Sequence, residues 1–189
     1  MSTMLFILSF IICFLIPMQV SGETKETTDF LFLSDCLYQH NHYRKLHGVP
    51  ILTYDREALD LARTRALEMS KTVSDDPNSP YSNYTLNWSY IPGTKSPSCK
   101  ALVAQWYKGV HYYSFAKGLV PKKVEPFAKL IWRRSKKIGC AQVTNDNEQS
   151  PGIYTVCVYT PKADLKTGSL ENISPISNPS NYYNFYLLR

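Results

Sequence analysis

Histidine is scarce in this chain: there are four in 189 residues, His40, His42, His47 and His111. The first three are separated by two, five and seven positions, never by the four that set two imidazoles on one helical face around a metal. No metal centre is expected from them. His40 and His47, one above the other at a seven-residue step, read instead as hydrogen-bonded packing. There is no G-x-S-x-G elbow, which excludes a serine hydrolase of that design. Adjacent carboxylates at Asp75 and Asp76 sit beside Pro77 in loop chemistry, a solvated turn rather than an acid/base dyad. There is no internal repeat. Beyond residue 22 no run is apolar and long enough to span a bilayer, so the mature chain has no integral membrane segment.

What is present begins with a leader. Residues 4–16, MLFILSFIICFLI, form an apolar run too short to cross a membrane, followed by Pro17 and the small-residue stretch VSG. Residues 1–22 read as a signal peptide cleaved after Gly22 or nearby, with the terminal amine as its only positive charge. The mature chain therefore keeps the whole formal net charge of +6 and is expected outside the cell. That charge favours solubility and weak attraction to acidic surfaces, and nucleic acid is a poor partner for a secreted chain. Cys36, Cys99, Cys140 and Cys157 are the mature cysteines; in an oxidising compartment they predict two disulfides, with three pairings open. Asn83, Asn87 and Asn172 each head an Asn-x-Ser/Thr sequon and are the expected glycan acceptors.

The mature length suits one domain with a proper core. Leu33, Leu37, His40 or Asn41, Arg44 and His47 share one helical side, with Gly48 as a stop. After the extended connector VPILTY, Asp55 caps a second helix through Leu59, Ala62, Ala66 and Met69. SDDPNSP is a loop and NYTLNWSYI a strand. Residues 99–113 restore helical spacing through Leu102, Val103, Trp106 and Val110, despite Gly109 inside the run. A long aromatic, then basic, loop leads to a fourth helix through Phe127, Leu130, Ile131 and Arg134. KIGCAQV and IYTVCVY, separated by the turn-rich TNDNEQSPG, should pair as antiparallel strands. Residues 23–162 make the domain, and 163–189 an extended tail lying partly on it. Arg133, Arg134, Lys136 and Lys137, with Lys122 and Lys123 upstream, form the densest positive patch. It suits either acidic glycans and anionic headgroups or a solvated helix end.

Four ordered segments carry a resemblance. HNHYRKLHGVPILTYDREALDLA from His40, the pair Trp106 and Tyr107, FAKLIWRRSKKIGCA from Phe127, and YTVCVYTP from Tyr154 resemble landmarks of the CAP superfamily, the cysteine-rich secretory, antigen 5 and pathogenesis-related proteins. Within it the chain is similar to the venom allergen-like proteins of parasitic worms, over roughly residues 33–162. The resemblance implies an α+β fold, an α-β-α sandwich with a three-stranded antiparallel sheet between helices. It also implies a bridge between Cys140 and Cys157, leaving Cys36 for Cys99.

Members with an intact cavity hold a divalent metal on two histidines and two glutamates. Here those positions fall on Pro126, Leu86, Gly109 and a loop near residues 73–75 that has no histidine. Zinc needs three or four donors within about 2.0–2.3 Å of one point, which Pro, Leu and Gly side chains cannot supply. The expectation is a protein with no metal, no cofactor and no catalytic residue. Family members are associated with sterol at an aromatic loop before the fourth helix, which points here to Tyr112, Tyr113, Phe115, Leu119 and Val120. Fatty acid between the first and fourth helices points to Leu37 and Ile131. The expected function is non-enzymatic binding of a sterol or fatty acid. The alternative is a secreted effector that engages a host receptor or immune protein.

Overall fold

Asp29 starts the first helix, its carboxylate accepting the N–H of Phe32 at 2.7 Å. In the computed structural model, which describes residues 23–71, 84–93, 95–146 and 151–177, this helix, α1, runs Phe30–Leu46. Gly48 follows in the left-handed region, at φ +59°. Asp55 caps the second helix, α2 (Arg56–Lys71), by accepting the N–H of Ala58 at 2.9 Å. The Lys137 ammonium, 2.8 Å from the same carboxylate, holds Asp55 below the usual carboxylate range, as does that N–H.

The central sheet is antiparallel, β3 (Thr85–Ile91) against β5 (Gly152–Thr160) against β4 (Lys137–Asn145). It has five strands rather than the expected three. β1 (Thr24–Glu26) pairs antiparallel with one end of β4, and β2 (Thr53–Tyr54) pairs parallel with the other. Both lie on the edge of β4 away from β5, where nine residues of strand would otherwise present unpaired backbone groups.

Helices cover both faces. Ala58, Leu59, Ala62, Ala66 and Met69 of α2 lie against the side of the sheet that carries Ala141, Val143, Val156 and Val158. Gly139 makes this possible, since a Cβ there would lie 2.0 Å from the backbone N of Leu59. The other face carries α1, α3 (Cys99–Tyr107) and α4 (Glu125–Leu130) around Trp106, Phe127, Trp132 and Tyr159. Disulfides join Cys36 to Cys99 and Cys140 to Cys157. The first ties α1 to the start of α3, and the second sits at directly paired positions of β4 and β5.

Two helices end earlier than their spacing predicts. After Tyr107 the third continues only as a 3-10 segment, Lys108–Tyr112. The fourth stops at Leu130 instead of reaching Arg134, because Arg44 draws the carbonyls of Leu130 and Trp132 to its guanidinium at 2.9 and 3.0 Å. Residues 163–177 are seated on the domain rather than leaving it. A short helix, α5 (Ser169–Asn172), places Asn172 to accept the backbone N–H of Arg134 at 3.1 Å, and Ser177 donates its N–H to Leu46 at 2.9 Å. The leader and residues 178–189 lie outside the described residues. Among the described helices none is long and apolar enough to cross a membrane.

Candidate functional site

Beneath α4 lies a chain of buried polar groups. The Nδ1 of His40 faces the carbonyl of Cys36 at 2.7 Å, so that nitrogen must carry the proton. Nε2 then accepts from the Tyr159 hydroxyl at 2.9 Å, and the hydroxyl oxygen accepts from the Asn87 amide at 3.2 Å. The same amide donates to the carbonyl of Pro126 at 2.9 Å, fixing the first turn of α4. His47 repeats the pattern, with Nδ1 on the carbonyl of Ser174 at 2.6 Å and Nε2 on the Tyr107 hydroxyl at 2.9 Å. Both imidazoles are neutral, structural and already bonded through both nitrogens. Burial lowers His40 to about 4 and also lowers His47, against the pull of its carbonyl partner.

This sets an acid limit on stability. In the unfolded chain His40 titrates near 6.5, so between there and about 4 the unfolded state binds more protons. The contribution of His40 is complete above about 6.5 and falls by about 3 kcal/mol as the pH drops to about 4. Urea unfolding at pH 7 and pH 4.5 should show the decline, and a His40→Gln variant should lose much of that slope. Stability flat across the interval would contradict the assignment.

Two grooves flank Pro126, and Trp88 and Pro126 line both. The larger, about 960 Å³, runs between residues 84–88, the start of α4 and residues 162–166. The smaller, about 370 Å³, gathers four aromatic residues, Trp88, Tyr90, Trp106 and Tyr112, around Gly109 and Pro126. Pro126 fits the first turn of α4, where the lost N–H has no intrahelical partner. Gly109 is required by contact, since a Cβ there would lie 2.7 Å from the Cβ of Phe127. Leu86 is half-buried and packs partly against the α2 side of the core. Among the described residues, the groups of three donor-type side chains close enough to share an ion are all built on bridged cysteines.

The residues expected to hold lipid are divided by the fold. Tyr112 and Leu119 are 61% and 68% exposed, and Tyr112 lines the smaller groove while Val120 lines the larger. Phe115 is half-buried and stacks on His47, with ring centroids 6.3 Å apart. Tyr113 and Ile131 are core residues covered by packing, and Leu37 is partly buried and packs against the core. The sequons at Asn87 and Asn172 are corrected. Both side chains are buried, and their amide nitrogens donate to the carbonyls of Pro126 and Gly168, at 2.9 and 2.8 Å, which leaves no approach for a glycan. Asn83 lies outside the described residues. The basic run is spread out as well. Arg133 donates to Ser174 at 2.7 Å, Arg134 pairs with Glu171 at 3.2 Å, Lys137 pairs with Asp55 at 2.8 Å, and Lys123 lies over the Tyr112 ring. Trp88 and Tyr90 were missed as site residues. Their only signal was strand alternation, which cannot say what lies beside the strand.

The cysteine-rich secretory protein family, CAP, matches residues 37–159. This chain belongs to the CAP family. Its similarity to the human Golgi-associated plant pathogenesis-related protein 1 is 27% identity over 154 residues, 76% of this chain and 93% of that one. The secreted protein RBT4 of Candida albicans is 28% identical over 163 residues, 78% of this chain and 43% of the relative. This CAP chain spans about a third to a half of the length of the Candida albicans relatives it matches. Among solved structures, BmVAL-1 superposes with a TM-score of 0.61 at 13% identity, covering 79% of this chain and 82% of that one. That likeness concerns the CAP fold. The two disulfides fit a CAP chain that matures in an oxidising compartment.

Proposed function

We propose that this CAP protein is secreted and non-catalytic, and that it holds a sterol or fatty acid in the aromatic groove beside Tyr112. The observation that carries the reading is the convergence of Trp88, Tyr90, Trp106 and Tyr112 over Gly109 and Pro126. These last two are positions where CAP members with an intact cavity place metal donors. Gly109 has no side chain and no room for one, and Pro126 offers no lone pair, so a cation has nothing to bind there. The same change leaves a groove of four aromatic rings with Ser89, Gln105, Lys108 and Lys123 among its lining. The rings suit a flat or chain-like apolar ligand, and the exposed Lys108 and Lys123 suit its polar end. Next to the exposed Tyr112, Tyr113 is a core residue and the half-buried Phe115 packs edge-on against it.

The test is a titration of the mature chain with labelled cholesterol and labelled palmitate. Tyr112→Ala should weaken binding about tenfold, because losing roughly 60 Å² of apolar contact costs ~1.5 kcal/mol. If neither lipid binds the parent protein, the reading fails. A second reading rests on α1, where Phe30, Leu31 and Tyr38 project from one side at 80%, 74% and 67% exposure. Such a stripe suits contact with a partner protein, in line with the effector alternative.

A further inference from the structure

The two edges of the sheet are treated differently. The outer edge of β4 is covered at both ends by β1 and β2. β3 pairs with β5 along its full length, and among the described residues no backbone group bonds to its other side. In an antiparallel edge strand every second residue turns its N–H and C=O outward. Natural proteins blunt such an edge with lysine, proline or a bulge. β3, with the sequence TLNWSYI, has no charged residue and no proline.

The larger groove lies along this edge. Five consecutive positions, residues 84–88, line it. Neighbouring side chains of a strand point to opposite faces, so a groove lined by five in a row looks onto the edge and not onto one face. Around it stand Lys122, Lys129, Lys162 and Lys166 with two carboxylates, Glu125 and Asp164. Both carboxylates are engaged. Glu125 pairs with Lys129 at 3.0 Å, and Asp164 accepts from the Thr167 hydroxyl at 2.5 Å and from the backbone N–H of Lys166 at 3.1 Å. Among the described residues the lining thus counts four lysines against two carboxylates and is net positive. On a chain of formal net charge +6, that disfavours pairing with a second copy and favours an acidic partner.

We propose that the open edge of β3 takes an extended acidic peptide segment of a partner protein, added as a further strand beside residues 84–88. Main-chain hydrogen bonds to the outward N–H and C=O groups supply the register, and the lysines supply the preference for acidic side chains. The proposal does not rest on a ligand in the smaller groove, although Trp88 and Pro126 line both grooves.

The test uses an acetylated six-residue peptide of alternating glutamate and valine, labelled for fluorescence anisotropy. Its comparison probes are the same peptide N-methylated at alternate amides and a lysine–valine counterpart. The acidic peptide should bind, N-methylation should weaken it at least tenfold, and the basic peptide should not bind. Charge reversal at the exposed Lys122 and Lys166, as Lys122→Glu with Lys166→Glu, should weaken the acidic peptide at least tenfold without altering stability. Hydrogen exchange should slow at least tenfold at alternate amides within residues 84–88 when the acidic peptide is added. Equal binding of the N-methylated peptide would overturn strand addition, as would unchanged exchange. Slowing of those amides by palmitate and not by the peptide would make the groove a lipid site and also overturn the proposal.

Discussion

Gly139→Ala is expected to destabilise the protein by more than about 4 kcal/mol, at the extreme of single-substitution effects. The new methyl would lie 2.0 Å from the backbone N of Leu59, 2.3 Å from the carbonyl carbon of Ala58 and 2.4 Å from the Leu59 Cα. None of these is the end of a flexible side chain. To make room, α2 must lift from the sheet as a body, opening the contact of Ala58, Leu59, Ala62 and Ala66 with the strands. At roughly 2–4 °C per kcal/mol for a domain of this size, the melting temperature should drop by about 8–16 °C or more. Thermal unfolding of the purified variant measures it. A loss below about 1 kcal/mol would mean that α2 and β4 are not in backbone contact.

Arg44→Met is expected to cost a comparable amount for a different reason. The guanidinium is fully buried and donates to the carbonyls of Pro50, Leu130, Trp132 and Ser135 at 2.7, 2.9, 3.0 and 3.0 Å. Burial lowers it only to about 10, so it stays charged at neutral pH. Methionine fills much of the volume but leaves these acceptors without their donor, at ~1–3 kcal/mol for each one left unsatisfied. The expected loss is at least about 4 kcal/mol, with α4 and the entry to β4 loosened first. Arg44→Lys should recover only part of it, because one ammonium cannot reproduce the planar fork. Denaturant unfolding compares the three proteins. If the methionine variant matched the parent, the four hydrogen bonds would carry no net weight.

These two residues also mark what local sequence could and could not show. α2 was legible because Asp55 and the three- and four-residue apolar spacing are local signals that tertiary structure did not override. The strand pair β4 and β5 was legible for the same reason. The early end of α4 was not. The carbonyls of Leu130 at its end and Trp132 just beyond are taken by Arg44, 86 and 88 positions away, and helical spacing through Arg134 gives no sign of that donor. β1 and β2 have three and two residues, too few to show alternation. The sequons at Asn87 and Asn172 are real as motifs and buried as side chains, since a tripeptide does not encode its own exposure.

The candidate site was half legible. Leu86, Gly109 and Pro126 stand where the family resemblance implies metal donors, and the same resemblance points to Tyr112 in the aromatic loop before the fourth helix. The way α3, β3 and α4 bring Trp88, Tyr90 and Trp106 to that tyrosine depends on long-range pairing. The place of β3 at the end of the sheet among the described residues likewise follows from strand order, which no stretch of sequence states.

The most direct measurement is to repeat the cholesterol and palmitate titrations on protein stripped with chelator and on protein supplied with zinc. Undiminished binding of at least one lipid to the stripped protein, with no stoichiometric zinc retained on dialysis, is the predicted result. Binding that appears only with zinc, or one tightly held zinc per chain, would contradict it.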